Sequence, residues 1–147
     1  MKESNRIRLK SLAWIEDDHS LFVVRNHDVV KGDDYYRPIG GSVNFGERTA
    51  DALVREVSEE LGTRISITGN PMIVENIFVC DGVPGHEIDY LYPARFDDPG
   101  FYTRKIYPLR EDTGSTFEAM WIEIEACLQG LIRLVPEELL EWYLQRE

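Results

Sequence analysis

Hydrophobic and polar positions divide the chain into strand-like and helix-like stretches. From Ile7, the sequence IRLKSLAWIEDDHSLFVVRN places β-favouring residues on both sides of a polar turn at 17–20, which predicts a hairpin of two strands. The stretch HDVVKGDDYYRPIGG follows, and its three glycines and one proline predict a loop that tightens into a short strand before SVNFGE.

Helical periodicity begins at Thr49. Apolar residues then recur at spacings of three and four: Ala50, Leu53, Val54, Val57 and Leu61. This spacing predicts an amphipathic helix, and Gly62 can end it in a left-handed cap.

The second half of the chain mostly returns to strand patterns. The region 65–96 alternates β-rich runs with GNP and DGVPG breaks and predicts several strands, whereas 97–116 predicts a long ordered loop. FEAMWIEIEA predicts a last strand running into a short helix, and a terminal helix is expected from Pro136. The order of elements indicates an α/β fold in one domain over 1–147, with a sheet between helices.

Composition and charge narrow the function classes. A chain of 147 residues with 43% hydrophobic content suits one globular domain. No apolar run approaches the roughly 18 residues that cross a bilayer, and the first residues do not form a secretory signal, so we expect a cytoplasmic protein with no membrane partner. A net charge of -11 argues against a nucleic acid polymer as partner. It leaves open a small phosphorylated ligand bridged by divalent cations.

The densest cluster of candidate chemistry is REVSEELG, residues 55–62. Glu56, Glu59 and Glu60 lie within roughly 100° of one another on a helix, away from the apolar stripe. Spacing alone favours a solvated helix face over a metal site. Like charges near the carboxyl end of a helix are unfavourable, however, so we expect a cation to offset them, and magnesium or manganese suits oxygen ligands.

The wider segment GGSVNFGERTADALVREVSEELG resembles the Nudix box, Gly-x5-Glu-x7-Arg-Glu-U-x-Glu-Glu-x-Gly-U with U aliphatic. The fixed positions correspond to Gly41, Glu47, Arg55, Glu56, Val57, Glu59, Glu60 and Gly62. The departure is Thr63, which stands where the box has an aliphatic residue. More loosely, RPIGG and EAMWI resemble flanking family motifs. The resemblance implies an α/β/α sandwich with a mixed β-sheet between helices.

The resemblance also implies a role for each matching residue. Glu56, Glu59, Glu60 and the Gly41 carbonyl would bind Mg2+ or Mn2+. Glu56 and Glu59, with Arg55, would be catalytic, and which glutamate serves as the base stays open. Arg55 would also pair with Glu47 to support the site.

Two residues outside the box are substrate-binding candidates. Arg37 could meet a substrate phosphate, or form a surface ion pair. Glu118 could serve the site from the last strand, or be a solvated acid.

The resemblance implies a hydrolase that cleaves a diphosphate linkage in a small phosphorylated substrate, typically a nucleoside diphosphate linked to another moiety. The alternative is a regulatory domain of the same fold that binds a nucleotide without hydrolysing it. The sequence does not identify the substrate, and it leaves both a monomer and a homodimer open.

Overall fold

The structure is a computed structural model that describes residues 6–109 and 117–146. Its strands are β1 Ile7–Trp14, β2 Glu16–Asp17, β3 Ser20–Asp28, β4 Asp33–Pro38, β5 Gly40–Ser42, β6 Ile65–Ile67, β7 Met72–Cys80, β8 Val83–Phe96, β9 Tyr107–Leu109 and β10 Phe117–Glu123. Its helices are α1 Thr49–Leu61, α2 Ile124–Leu128 and α3 Glu138–Gln145, with a 3-10 turn at Pro99–Tyr102.

The strands form two five-stranded sheets. In the first, β1 lies between β5, which is antiparallel to it, and β8, which is parallel; β6 and β7 both pair with β8. In the second, β3 pairs with β2, β4 and β10, and β9 pairs with β10. The β1–β8 pair makes the first sheet mixed, and its register sets Lys10 opposite Asp89.

Two hydrophobic cores lie on opposite faces of β1, because successive strand side chains alternate between faces. Ala13 belongs to the core that includes Leu53 and Val57 of α1. Leu12 belongs to the core that includes Leu139 of α3. The helices therefore cover the sheets from two sides.

Several predicted elements are present. The turn between β2 and β3 falls within 17–20, but the predicted hairpin is correct only there: Glu16–Asp17 pair with β3, whereas β1 pairs with β5 and β8 in the other sheet. The helix α1 ends at Gly62, which has a left-handed φ of 70°. The strand β10 runs directly into the short helix α2. The terminal helix begins at Glu138, two residues after the predicted start.

Two predicted loops were wrong in part. Residues 33–38 form β4 because the β-favouring Tyr35 and Tyr36 pair with β3 despite the polar residues around them. The predicted loop at 97–116 contains a 3-10 turn and the strand β9, which pairs with β10. Residues 110–116 of that loop lie outside the described residues.

In the described ranges, 6–109 and 117–146, no helix is long and apolar enough to cross a membrane.

Candidate active site

The glutamate face of α1 is supported by its apolar face. Leu53 and Val57 are fully buried in the core beneath the helix. Glu60 is also largely buried, with 9% of its surface exposed, whereas the Glu59 side chain is 58% exposed. The three box glutamates therefore occupy environments of different polarity.

Gly41 brings the backbone of β5 against Glu56. Gly41 is itself buried and pairs with Ser11 of β1. A Cβ atom built at position 41 would overlap the carboxyl group of Glu56. This position needs glycine because the strand and the carboxylate approach each other closely. The backbone conformation does not require glycine here, since the φ of Gly41 lies outside the left-handed region.

Arg55 holds the cluster together with five hydrogen bonds. Its guanidinium donates to both carboxylate oxygens of Glu47, from Nε at 2.7 Å and from Nη2 at 2.9 Å. Nη1 donates to Glu56 and to Glu59, each at 3.1 Å, and Nη2 also donates to the Ser42 carbonyl at 3.0 Å. Such a bidentate pair fixes orientation as well as charge. Arg55 thus ties the loop before α1 to the glutamate face.

These contacts shift the pKa values of the cluster. The hydrogen bonds from Arg55 lower the pKa of Glu47 to about 2. The carboxylates in turn raise the pKa of Arg55. Burial raises the pKa of Glu56, although Arg55 opposes the shift. Glu47 is therefore held as an anion, whereas Glu56 is less readily ionised than an exposed glutamate.

We expect Glu47→Gln to lose stability in a pH-dependent way. Since the folded pKa of Glu47, about 2, lies below its ordinary 4.5, ionised Glu47 stabilises the fold above that range. This contribution is lost as the pH falls through about 2. The difference in unfolding free energy between wild type and variant, measured by urea denaturation, should shrink from about pH 6 to about pH 2.

The control for this prediction removes the partner. In an Arg55→Gln background, Glu47→Gln should have a much weaker pH-dependent effect, because the guanidinium that lowers the pKa is gone. An equal effect in both backgrounds would show that another group carries the pH dependence.

The donor set suits a hard divalent cation, which prefers carboxylate and carbonyl oxygens. Glu56, Glu59 and Glu60 supply carboxylates, and the missing side chain at Gly41 leaves room for the Glu56 carboxyl beside the β5 backbone. The carboxylate oxygens of these three glutamates do not all lie within 4.8 Å of one another. Arg55 engages two of them instead.

One group within the described ranges does meet that distance, namely Asp28, Cys80 and Asp81. Its two aspartates already accept backbone N–H groups of the turn after β3: Asp28 from Lys31 and Asp81 from Val29. These bonds give the aspartates a structural role in that turn.

The two candidates outside the box lie apart from each other. Glu118 pairs with Arg25 on the neighbouring strand β3, and both side chains are 43% exposed. Arg37 lines a cavity of about 860 Å3 together with residues of β1, β7, β8 and the segment before α3. Their roles stay predictions.

Sequence reasoning missed Lys10 and Asp89, which line the same cavity as Arg37. A signal for both was available. Lys10 is in phase with the buried Leu12 on β1, and Asp89 is in phase with the buried Leu91 on β8. A charged residue at a core-facing strand position is uncommon unless it is paired or functional.

Comparison with known proteins assigns the fold. A family model described as the NUDIX domain matches residues 7–143. No curated protein sequence matches the chain significantly.

Three solved structures resemble it. A MutT NUDIX hydrolase from Burkholderia pseudomallei is 22% identical, with a TM-score of 0.56 over 82% of this chain and 86% of its own. A NUDIX hydrolase from Nitrosomonas europaea is 17% identical, with a TM-score of 0.58 over 89% and 82%. The E. coli ORF135 protein is 24% identical, with a TM-score of 0.55 over 95% and 90%. The predicted α/β/α sandwich is confirmed.

Proposed function

Since this chain belongs to the NUDIX family, we propose that it is a divalent-cation-dependent hydrolase that cleaves a diphosphate linkage in a nucleoside diphosphate linked to another moiety. The observation that carries the proposal is the Arg55 network. One guanidinium contacts Glu47, Glu56 and Glu59, so the spacing of the motif corresponds to one connected cluster of side chains.

The residues of the cluster have separate proposed tasks. Glu56 and Glu60, one helical turn apart, would hold Mg2+ or Mn2+ together with the Gly41 carbonyl. When bound, such a cation supplies neutralising charge for the diphosphate oxygens and acidifies water. Glu59 is either a further ligand or the group that accepts a proton from the attacking water, and its exposure leaves it accessible to water.

Arg55 and Glu47 act through the glutamates. Arg55 fixes the Glu56 carboxylate and the Glu59 carboxylate relative to β5, because it also binds the Ser42 carbonyl. Orientation of this kind lowers the cost of reaching the transition state. Arg37 and Lys10 supply positive charge in the neighbouring cavity, where a substrate phosphate or diphosphate would gain from it.

The proposal is tested by a substrate panel. Purified protein with Mg2+ is incubated with nucleoside di- and triphosphates, nucleotide sugars and dinucleoside polyphosphates, and phosphorylated products are separated by ion-exchange chromatography. We expect hydrolysis of at least one class, lost on addition of EDTA and restored by Mg2+. Repetition in 18O-labelled water identifies the phosphorus that water attacks. Folded protein that binds Mg2+ and turns over none of these compounds would refute the proposal.

A further inference from the structure

The cavity on the α3 side of β1 has polar and charged walls. It has a volume of about 860 Å3 and is lined by Lys10, Arg37, Tyr35 and Phe78, as well as by Glu87 and Asp89 of β8. Lys10 connects it with the candidate active site, because its charge acts on Glu56 while its Nζ lies 3.6 Å from the Glu87 carboxylate. In the β1 register, Lys10 is opposite Ser42 of β5 on one side and Asp89 on the other.

Asp89 is the unusual group in this cavity. It is 1% exposed, and neither of its carboxyl oxygens receives a hydrogen bond from a donor within the described ranges. A buried carboxyl group without donors is unfavourable by about 1–3 kcal/mol, more when ionised. A group of this kind on a cavity wall is typical of a site that a ligand completes.

Glu87 cannot supply the missing donors. It lies two residues away on the same face of β8 and carries only acceptor oxygens when ionised. Burial, and then the Glu87 carboxylate, raise the pKa of Asp89 to about 8. A proton held by Asp89 is attracted to Glu87, which leaves the second Asp89 oxygen as an acceptor. Lys10 and Arg37 line the same cavity, but neither donates a hydrogen bond to Asp89. In either protonation state, Asp89 therefore keeps an acceptor oxygen that an N–H group of a ligand would satisfy.

Aromatic rings indicate the shape of that ligand. Tyr35 and Phe78 both line the cavity, and such side chains stack on flat heteroaromatic rings. Resting on the proposed function, we propose that Asp89 selects nucleotide substrates whose base carries an exocyclic amino group. Adenine, guanine and cytosine have this group. Uracil and hypoxanthine keep a ring N–H, but beside it each places a carbonyl oxygen where cytosine or adenine has the amino group, and the lone pairs of that oxygen would face those of Asp89. Hypoxanthine also lacks the 2-amino group of guanine, which leaves one donor fewer on that edge of the base.

The test compares nucleotides that differ at this group. Binding of AMP, GMP, CMP, IMP and UMP is measured by calorimetry, which needs no turnover, so a failure of the hydrolase proposal does not decide the outcome. We expect the nucleotide that binds most tightly to carry an amino group. Its counterpart without that group, which is IMP for AMP or GMP and UMP for CMP, should bind more weakly by a factor of about ten or more. Equal or tighter binding of IMP or UMP would overturn the inference.

Variants then identify the residue. Asp89→Val should remove the preference for the amino group, whereas Asp89→Asn should retain most of it, because the amide can donate to Glu87 and keep its carbonyl for the ligand. Glu141→Gln is the matched control: Glu141 lines the same cavity but is exposed, and its change should leave the preference intact. A folded Asp89→Val protein with an unchanged preference would contradict the assignment. If Asp89→Val does not fold, Asp89→Asn decides the question, and loss of the preference in that variant would overturn the assignment.

Discussion

Replacement of Glu56 by glutamine is expected to lower turnover roughly a thousandfold, which corresponds to about 4 kcal/mol of transition-state stabilisation. Glutamine keeps the size of the side chain and one acceptor oxygen but removes the negative charge that would hold the cation. Glu56 is the glutamate that packs against Gly41, and it also receives a hydrogen bond from Arg55, so the substitution changes a side chain whose position is fixed.

Steady-state kinetics and a Mg2+ titration measure this effect. Asp51→Asn is the matched control, because it removes one charge from an exposed position on the same helix and should retain nearly full activity. A Glu56→Gln protein with wild-type kcat would exclude Glu56 from the chemistry. The same experiment separates the hydrolase from a nucleotide sensor, which would lose at most affinity.

Glu59→Gln provides a contrast with Glu56→Gln. If Glu59 accepts the proton, kcat should fall while the Mg2+ concentration that gives half-maximal activity stays the same. If Glu59 is a cation ligand, that concentration should rise as well. The pair of titrations therefore distinguishes the two roles that the spacing on α1 leaves open.

Arg55 offsets the electrostatic repulsion among the three glutamates, which the prediction from sequence did not take into account. Three glutamates on one helical face were expected to need a cation, and Arg55 already supplies one from the same helix. Repulsion alone is therefore weak support for a metal. The stronger support comes from Gly41, because Arg55 would not by itself require a glycine beside Glu56.

Local pattern predicted α1 well because burial, periodicity and capping agree there. Leu53 and Val57 face the core, and Gly62 adopts the left-handed conformation that ends the helix. The strands β4 and β9 depend instead on pairing with β3 and β10. Pairing of this kind is decided by tertiary contacts, so polar and glycine-rich flanks mislead a local prediction.

The candidate site shows the same division between local and long-range information. The resemblance to the family motif was enough to predict the contact between Glu47 and Arg55, since both belong to one loop and helix. The cavity is assembled from strands far apart in sequence. Lys10 and Asp89 become neighbours only because β1 pairs in parallel with β8, which nothing near either residue indicates.

Replacement of Gly41 by alanine is the second prediction with a large effect, since turnover should fall about a hundredfold. The new methyl group would overlap the Glu56 carboxyl, so the side chain of Glu56 must move away from β5. A displacement near 1 Å is enough to cost about this factor when the displaced group orients the reaction. The protein should remain folded, because the Glu56 side chain can rotate where a backbone could not.

Thermal denaturation and kinetics of a double-mutant cycle test this explanation. In a Glu56→Ala background the overlapping carboxyl is absent, so Gly41→Ala should lower the melting temperature less than it does in the wild type. Gly100→Ala is the control, because a Cβ there would meet only the Asp98 side chain on the surface, at 3.2 Å. Full activity in Gly41→Ala would show that Glu56 does not need its position against β5. An equal loss of stability in both backgrounds would show that the methyl group collides with something other than Glu56.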